Sequence, residues 1–374
     1  MARLWRLLRQ MPLFLAAMAL FGGLAVWESA AQPRTFSDRE NRPLATFPPF
    51  SVQSVRSGRW MKGVEDAAGD QFPLRDAWVD VQAVEDALML RNARNGILIG
   101  KEGWLFEGAA GLDVDTAHRN IVALNKLAAH TGLPVTLMLV PLSSAVYPQF
   151  LPAGYRADDQ AALLASLYGE AGAQSVDLLS ALRAQSGAEA LFFRTDHHWS
   201  LAGAQVGEAA LLAAWGLPPA PEAPAQTLPG GQYGSYFARA PSPFIAPDDF
   251  ALTAPSGVRL RTDETARPAL YNAGEMTAVR DKYAKLLYGN HGLITLDSDA
   301  PGGTLLVIKD SYANMLLPLL ARSFGHIEAV DLRYYTGDLL QWMQRPGARL
   351  LCLYGLNTWL SDRNLPRAVA RWKD

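Results

Sequence analysis

Apolar positions along this chain change period several times, and those changes mark out its elements. An uninterrupted apolar run covers Met11 to Trp27. From Trp60 to about Leu90 apolar residues recur at helical spacing, first Val64, Ala67 and Ala68, then Trp78, Val81, Val84 and Leu88. Phe72-Pro73 interrupts that run, which predicts two helices. Gly96-Ile97-Leu98-Ile99 and Trp104-Leu105-Phe106 flank Lys101-Glu102-Gly103, and the pattern predicts a hairpin turning there. Beyond it, short apolar strands alternate with helical stretches. The pattern predicts a helix near Ala117 to His130, a strand Val135 to Val140, and helices near Gln160 to Glu170 and Leu201 to Trp215. It resumes with a strand Thr304 to Ile308, a helix through Met315 to Ala321, a strand Ile327 to Val330, a helix near Leu339 to Met343 and a strand Arg349 to Tyr354. Such alternation predicts an α/β fold around a central parallel sheet. A proline-rich break from Pro218 to Pro229 opens a glycine-rich stretch with no clean period, expected to be an insertion or lid at about 217–300.

The N-terminal run has a second meaning, because Arg3, Arg6 and Arg9 precede it. Basic residues before an uncharged apolar stretch are the pattern of an export signal. Trp27 fits an interfacial anchor and Ser29-Ala30-Ala31 a cleavage site. The segment 1–31 therefore reads as an uncleaved signal anchor in the cytoplasmic membrane, with secretion after cleavage as the alternative. Both place the rest of the chain outside the cytoplasm, in the periplasm or beyond. Residues 32–95 are expected to hold an extended polar connector, Gln32 to Pro43, and the two helices; residues 96–374 are expected to be the catalytic domain.

Composition narrows the function classes. The 374 residues carry a formal charge of −2 and no basic run after the first ten positions, which argues against nucleic acid as a partner. The single cysteine, Cys352, lies in the apolar stretch Leu350-Leu351-Cys352-Leu353, where a buried, inert thiol is expected. One cysteine also excludes an internal disulfide.

Two clusters can do chemistry. Arg194-Thr195-Asp196-His197-His198-Trp199 sets a carboxylate beside two of only six histidines. A carboxylate that fixes an imidazole tautomer makes a general base of it. The apolar stretch Leu305 to Ile308 runs through Lys309-Asp310 into Ser311-Tyr312-Ala313-Asn314, placing a serine between a strand end and a helix start. Ligands of open α/β sheets bind at that end of the strands, and an amide at a helix N-terminus can hold an oxyanion. Either cluster alone is equally explained as a helix cap. The next two strand ends carry Gly337 and then Gly355-Leu356-Asn357, so Ser, Gly and Asn follow in order at three successive strand ends.

This order resembles the SGNH hydrolase superfamily, in which Asp and His come last in the chain. Here Asp196 and His198 come first, as a circular permutation would have it, with Val135 to Val140 as the fourth strand. Their spacing of two differs from the superfamily's usual three. A narrower resemblance, to the bacterial DHHW family related to alginate O-acetyltransferases, rests on Asp196-His197-His198-Trp199, on Val307-Ile308-Lys309-Asp310-Ser311-Tyr312 and on three further stretches. Those are Phe36 to Arg42, Asp70 to Asp76, and Gly100 to Phe106. The resemblance implies a circularly permuted, three-layer SGNH-like α/β fold with an N-terminal membrane helix. It implies Ser311 as nucleophile, His198 as base and Asp196 as its orienter, with Ser311, Asn357 and Gly337 forming the oxyanion hole. His197, Trp199, Asp310, Tyr312 and Arg333 are expected to support the site or bind substrate, with no metal and no bound cofactor.

The implied function is transfer of an acetyl group through an acyl-serine to a cell-envelope polysaccharide or exopolysaccharide. An exported enzyme has no access to cytoplasmic acetyl-CoA, so the resemblance further implies a multi-spanning membrane acyltransferase as donor. A carbohydrate esterase with the same site and a non-catalytic polysaccharide-binding scaffold are the alternatives. A metal enzyme built on Asp196, His197 and His198 is a third.

Overall fold

In a computed structural model of the chain, residues 11–30, 32–108, 113–187, 189–222 and 224–372 are described. Arg3, Arg6, Arg9 and Ala31, read as parts of an export signal, lie outside them. The chain divides into two compact units, one of residues through Arg91 with Pro241–Pro243, the other of Asn92–Ala240 and Phe244 onward.

The first unit contains the predicted pair of helices, Arg59–Asp70 and Arg75–Leu88. Its polar segment is no extended connector. Phe36–Ser37 pairs antiparallel with Arg42–Pro43, and the charged residues of the turn bind the loop between the helices. Arg42 donates to Asp70 at 2.8 Å, and Arg75 donates to Glu40 at 2.6 and 3.0 Å. The motifs around Ser37-Asp38-Arg39 and Phe72-Pro73-Leu74 thus exist to hold one another. The Arg42 hydrogen bond holds the Asp70 carboxyl down at about 2. Replacing Asp70 by asparagine is expected to cost about 1–3 kcal/mol of stability at neutral pH. Because the folded pKa is depressed, the wild-type advantage is full above about 4 and fades as pH falls towards 2. Thermal unfolding of the two proteins at pH 7 and pH 3 checks this; equal differences at both would refute it.

Ahead of this hairpin, Pro12–Ala30 is helical, but no described helix is long and apolar enough to cross a membrane. The expected spanning anchor is not found in that form.

The second unit is built on an eight-stranded sheet. Its centre is five parallel strands in the spatial order Phe324–Val330, Gly302–Lys309, Arg349–Gly355, Val135–Val140, Gln174–Ser175. Every residue of Val135–Val140 is buried, as a continuous apolar run between two helical layers requires. With the serine strand counted first, the order is second, first, third, fourth, fifth, a doubly wound arrangement cut between its third and fourth strands. A chain permuted in the expected way would have this order. Cys352 is fully buried on the Arg349–Gly355 strand, and burial pushes its thiol up.

The segment 217–300 is not a separate lid. Arg259–Thr262, Thr265–Arg267 and Leu293–Asp297 extend the sheet antiparallel from Phe324–Val330, and Ala225–Gln232 pairs with Asp248–Thr253. Leu228, Phe250, Leu252, Tyr283 and Leu296 from this segment belong to the main core, which is why its apolar residues follow no surface-helix period. The predicted hairpin is present as Ile97–Ile99 against Leu105–Glu107, with Glu102 and Gly103 at positive φ in its turn.

Candidate active site

The serine strand and its parallel neighbours end on one edge of the sheet, and the candidate residues gather there. Ser311 follows Lys309 by two residues and precedes the buried helix Ala313–Leu320. Asp310, which is 1% exposed, shapes that turn from inside. It accepts from the Tyr312 amide at 2.9 Å and from the Gly355 amide at 2.8 Å, tying the serine loop to the next strand end. Burial raises its pKa. Among the described residues the Ser311 amide donates to no acceptor, which leaves it available to an oxyanion.

The Asp-His loop arrives from the last block of the sheet. His198 Nε2 lies 2.8 Å from Ser311 Oγ, and His198 Nδ1 lies 2.7 Å from Asp196 Oδ2. With Asp196 ionised, Nδ1 carries the proton and Nε2 is the free base that faces the serine. Residues 113 positions apart thereby form the Ser-His-Asp relay that the motifs implied. The spacing of two between Asp196 and His198 is accommodated because His197 turns aside. Its Nδ1 is 2.6 Å from Ser235 Oγ, while Ser235 donates to Asp196 Oδ1 from both its hydroxyl, at 2.5 Å, and its amide, at 3.0 Å. Asp196 therefore serves two histidines, one oxygen each.

Electrostatics follow from this sharing. Burial opposes the charge on Asp196, but the two imidazoles hold its carboxyl well below the usual range. Burial also opposes a charge on His197, but Asp196 wins and raises it. His198, with ring centroid 3.7 Å from that of His197, is pushed down to about 4, first by burial and then by the neighbouring positive charge. The acid limb of kcat/KM for serine acylation is therefore expected near pH 4 rather than near histidine's ordinary 6.5. His197→Gln removes the opposing interaction and is expected to move that limb up. A pH profile with a small ester checks both; an unmoved limb in the variant would contradict the coupling.

The supporting residues divide by burial. Trp199 and Tyr312 are fully buried and act from behind: Trp199 Nε1 donates to the Tyr312 carbonyl at 3.0 Å, and the Tyr312 hydroxyl donates to the His197 carbonyl at 2.6 Å. Arg333 stands on the adjacent loop, since Ile308 pairs with Val330 and each residue lies three positions beyond its partner. Its guanidinium is gripped by the buried Asp331 at 2.6 and 2.8 Å, and its charge disfavours protonation of His198. Asn357 lies beyond the strand on the other side, its Nδ2 donating to Glu107 at 3.5 Å. Gly337 is exposed farther along the Arg333 loop, covered by the Tyr335 ring, and no described hydrogen bond joins it to the relay. Of the three expected oxyanion donors, the Ser311 amide is the one beside the Ser311 hydroxyl, while the Asn357 amide is engaged with Glu107.

Asp196, His197 and His198 also bring three potential ligand atoms within 4.8 Å of one another. The inward-facing nitrogens and carboxylate oxygens are engaged in the relay and with Ser235, so the set suits proton transfer better than coordination.

Several participants carry no sequence signal. Gly234 lets the Ser235 loop reach the carboxylate: a Cβ there would sit 2.3 Å from that of Asp196. Asp248 pins the loop before the tetrad, accepting from Thr195 Oγ1 at 2.7 Å and Arg194 Nε at 2.9 Å. Tyr283 packs on His198 with ring centroids 3.7 Å apart. All come from the segment 217–300, and glycine, serine, aspartate and tyrosine in an aperiodic stretch look like loop residues.

Comparison with known proteins finds relatives for about half of the chain and neighbours for its fold. The model of the SGNH hydrolase-like domain of the acetyltransferase AlgX matches residues 97–235. The probable alginate O-acetylase AlgJ of Pseudomonas aeruginosa is 28% identical over 211 residues, 52% of this chain and 50% of that protein. The probable alginate O-acetylase AlgJ of Pseudomonas syringae is 27% identical over 208 residues, 53% and 51% of the two. The chain thus spans about half the length of these curated relatives. Among solved structures, a DHHW family protein from Eubacterium siraeum superposes with a TM-score of 0.59 at 21% identity, covering 73% of this chain and 95% of its own. Bacillus cereus PatB1, solved with a sulfonyl adduct, gives 0.60 at 19%, covering 72% and 97%. These two speak to the fold. The chain is thus similar over residues 97–235 to the SGNH hydrolase-like domain of the acetyltransferase AlgX, and over about half its length to the probable alginate O-acetylase AlgJ.

Proposed function

We propose that this protein transfers an acetyl group through Ser311 to a hydroxyl of a polysaccharide outside the cytoplasm. The observation that carries the acyl chemistry is the contact of His198 with Ser311 on one side and Asp196 on the other. The names of the relatives support acetyl as the group and a polysaccharide as its acceptor.

In this reading Ser311 Oγ attacks the carbonyl carbon of the donor while His198 Nε2 takes the serine proton. The oxyanion that forms is held by the Ser311 amide and by Asn357, which must turn from Glu107, with Gly337 as the third donor. The tetrahedral species collapses, the donor's leaving group departs with the proton from His198, and acetyl-serine remains. A sugar hydroxyl then gives its proton to His198 and attacks the acetyl carbon; Ser311 leaves with that proton and the ester appears on the sugar. His197, bound to Asp196, disfavours a resting proton on His198. The donor is expected to be a multi-spanning membrane acyltransferase that passes acetyl groups across the bilayer, with the N-terminal segment keeping Ser311 near it.

The test incubates the protein with p-nitrophenyl acetate and oligosaccharides, and follows acetyl by mass on Ser311 and on the sugar. Acetylated sugar is the expected product. Free acetate with no sugar ester under saturating oligosaccharide would replace transferase with esterase.

A further inference from the structure

We infer that Tyr283 is the positioning residue of the relay, a clamp that sets the His198 ring relative to Ser311. The inference rests on the acyl-serine reading, and goes beyond it by assigning a role to a residue far from both motifs.

Tyr283 touches both halves of the proton-transfer pair. Its phenol ring lies nearly parallel to the His198 imidazole, with centroids 3.7 Å apart and planes 12° from one another. Its hydroxyl reaches the other way, to the Ser311 carbonyl at 3.1 Å and the Tyr312 carbonyl at 3.2 Å. One rigid side chain thus spans from the face of the base to the backbone of the nucleophile. Tyr283 is itself immobilised: it is 1% exposed, and Phe193 packs edge-on against it at 6.2 Å and 80°. Burial raises its phenol pKa well above the usual value, so the hydroxyl stays a donor to those two carbonyls.

Such a clamp has two physical consequences. Flat contact blocks rotation of His198 about its side-chain bonds, which keeps Nδ1 on Asp196 and Nε2 on Ser311; loss of that alignment by about 1 Å costs on the order of a hundredfold in rate. The negative face of the phenol also favours the imidazolium that exists only while the proton is in transit. Both effects belong to the ring, and the hydroxyl serves to seat it. Residues 281–284 are anchored independently, by the Lys282 amide on Gln232 at 2.6 Å and by Asp281 accepting from Gln232 at 3.1 Å and the Ala284 amide at 3.2 Å. The ring is therefore presented by a braced loop.

The experiment compares Tyr283→Phe and Tyr283→Leu with wild type in acylation by p-nitrophenyl acetate, and records the downfield Nδ1 proton of His198 by NMR. Trp215→Leu, whose ring packs on Phe324 and not on the relay, serves as a control for lost aromatic packing. The expected result is that Tyr283→Phe keeps the NMR signal and loses fivefold or less in kcat, whereas Tyr283→Leu loses the signal and about a hundredfold in kcat with KM within twofold. Trp215→Leu is expected to lower the melting temperature and to leave kcat within about threefold. A folded Tyr283→Leu that keeps the signal would overturn the clamp, and so would a Tyr283→Phe as impaired as Tyr283→Leu. Because the Nδ1 signal is read without substrate, it tests the clamp even if wild type acylates from no ester, an outcome that would instead remove the acyl-serine reading.

Discussion

Replacing Ser311 by alanine is expected to lower acyl transfer from an activated acetyl ester by on the order of 10⁶-fold, with the fold intact. Nucleophile and base act as a unit, so removing the oxygen removes the whole covalent route and leaves only what the oxyanion site contributes to attack by water. The structural cost is small because the serine side chain's hydrogen bond is to His198, and its backbone is held by Asp310, Tyr283 and the helix that follows. Asp196→Asn is expected to be milder, on the order of 10⁴-fold, through loss of the correct imidazole tautomer. Burst kinetics with p-nitrophenyl acetate, together with circular dichroism to confirm folding, measure both. A folded Ser311→Ala that retains more than about a tenth of the activity would remove Ser311 from its role.

Gly234→Ala is expected to have the next largest effect, on the order of 10²–10⁴-fold in kcat, from a single methyl group outside both motifs. A Cβ at that position would lie 2.3 Å from Asp196 Cβ and 2.4 Å from its Cγ, far inside contact distance. Something must move. Ser235 is bound to Asp196 by two hydrogen bonds, and Thr195 Oγ1 accepts from the Gly234 amide at 3.2 Å, so the loop cannot retreat without breaking them. The carboxylate must swing instead, which uncouples His198 Nδ1 and approaches the Asp196→Asn defect. Overpacking of this kind also costs about 1–3 kcal/mol of stability. The check is kcat at a temperature where the variant remains fully folded; a folded Gly234→Ala with kcat within twofold of wild type would show that the carboxylate tolerates displacement.

Much of the catalytic edge is legible before folding because strand ends are local features. Leu305 to Ile308 reads as a buried strand, and Asp310-Ser311 follows where a parallel strand must give way to a helix. Gly337 and Asn357 mark the ends of the two neighbouring strands, and the structure puts those strands on either side of the serine strand. What the order of Ser, Gly and Asn could not tell is which donors face the oxyanion. Asn357 bonds to Glu107, a residue at the end of the Leu105–Glu107 strand with no motif of its own, and Gly337 sits out under Tyr335. Side-chain direction at a loop depends on what packs against it, and that partner is distant in sequence.

The segment 217–300 is the larger lesson. Its residues alternate and break because they serve two masters: Arg259–Thr262 and Leu293–Asp297 pair into the main sheet, while Gly234, Ser235, Asp248 and Tyr283 brace the Asp-His loop. A residue that is buried only after a remote segment arrives shows no amphipathic period, so its importance is invisible locally. Likewise, the charged stretch around Arg42 reads as an extended connector until it is seen paired with Asp70.

By itself, then, the order of residues determined the parallel α/β sheet and the residue types available at three strand ends, since period, strand length and turn residues are short-range properties; the permuted strand order was an expectation from the family resemblance. Only the tertiary structure decided that Ser311 and His198 come within 2.8 Å, that one carboxylate divides its oxygens between two histidines, and that Tyr283 closes over the base. Those outcomes depend on contacts across 113 and 39 positions of chain, where packing of remote segments, and no local preference, sets the distance.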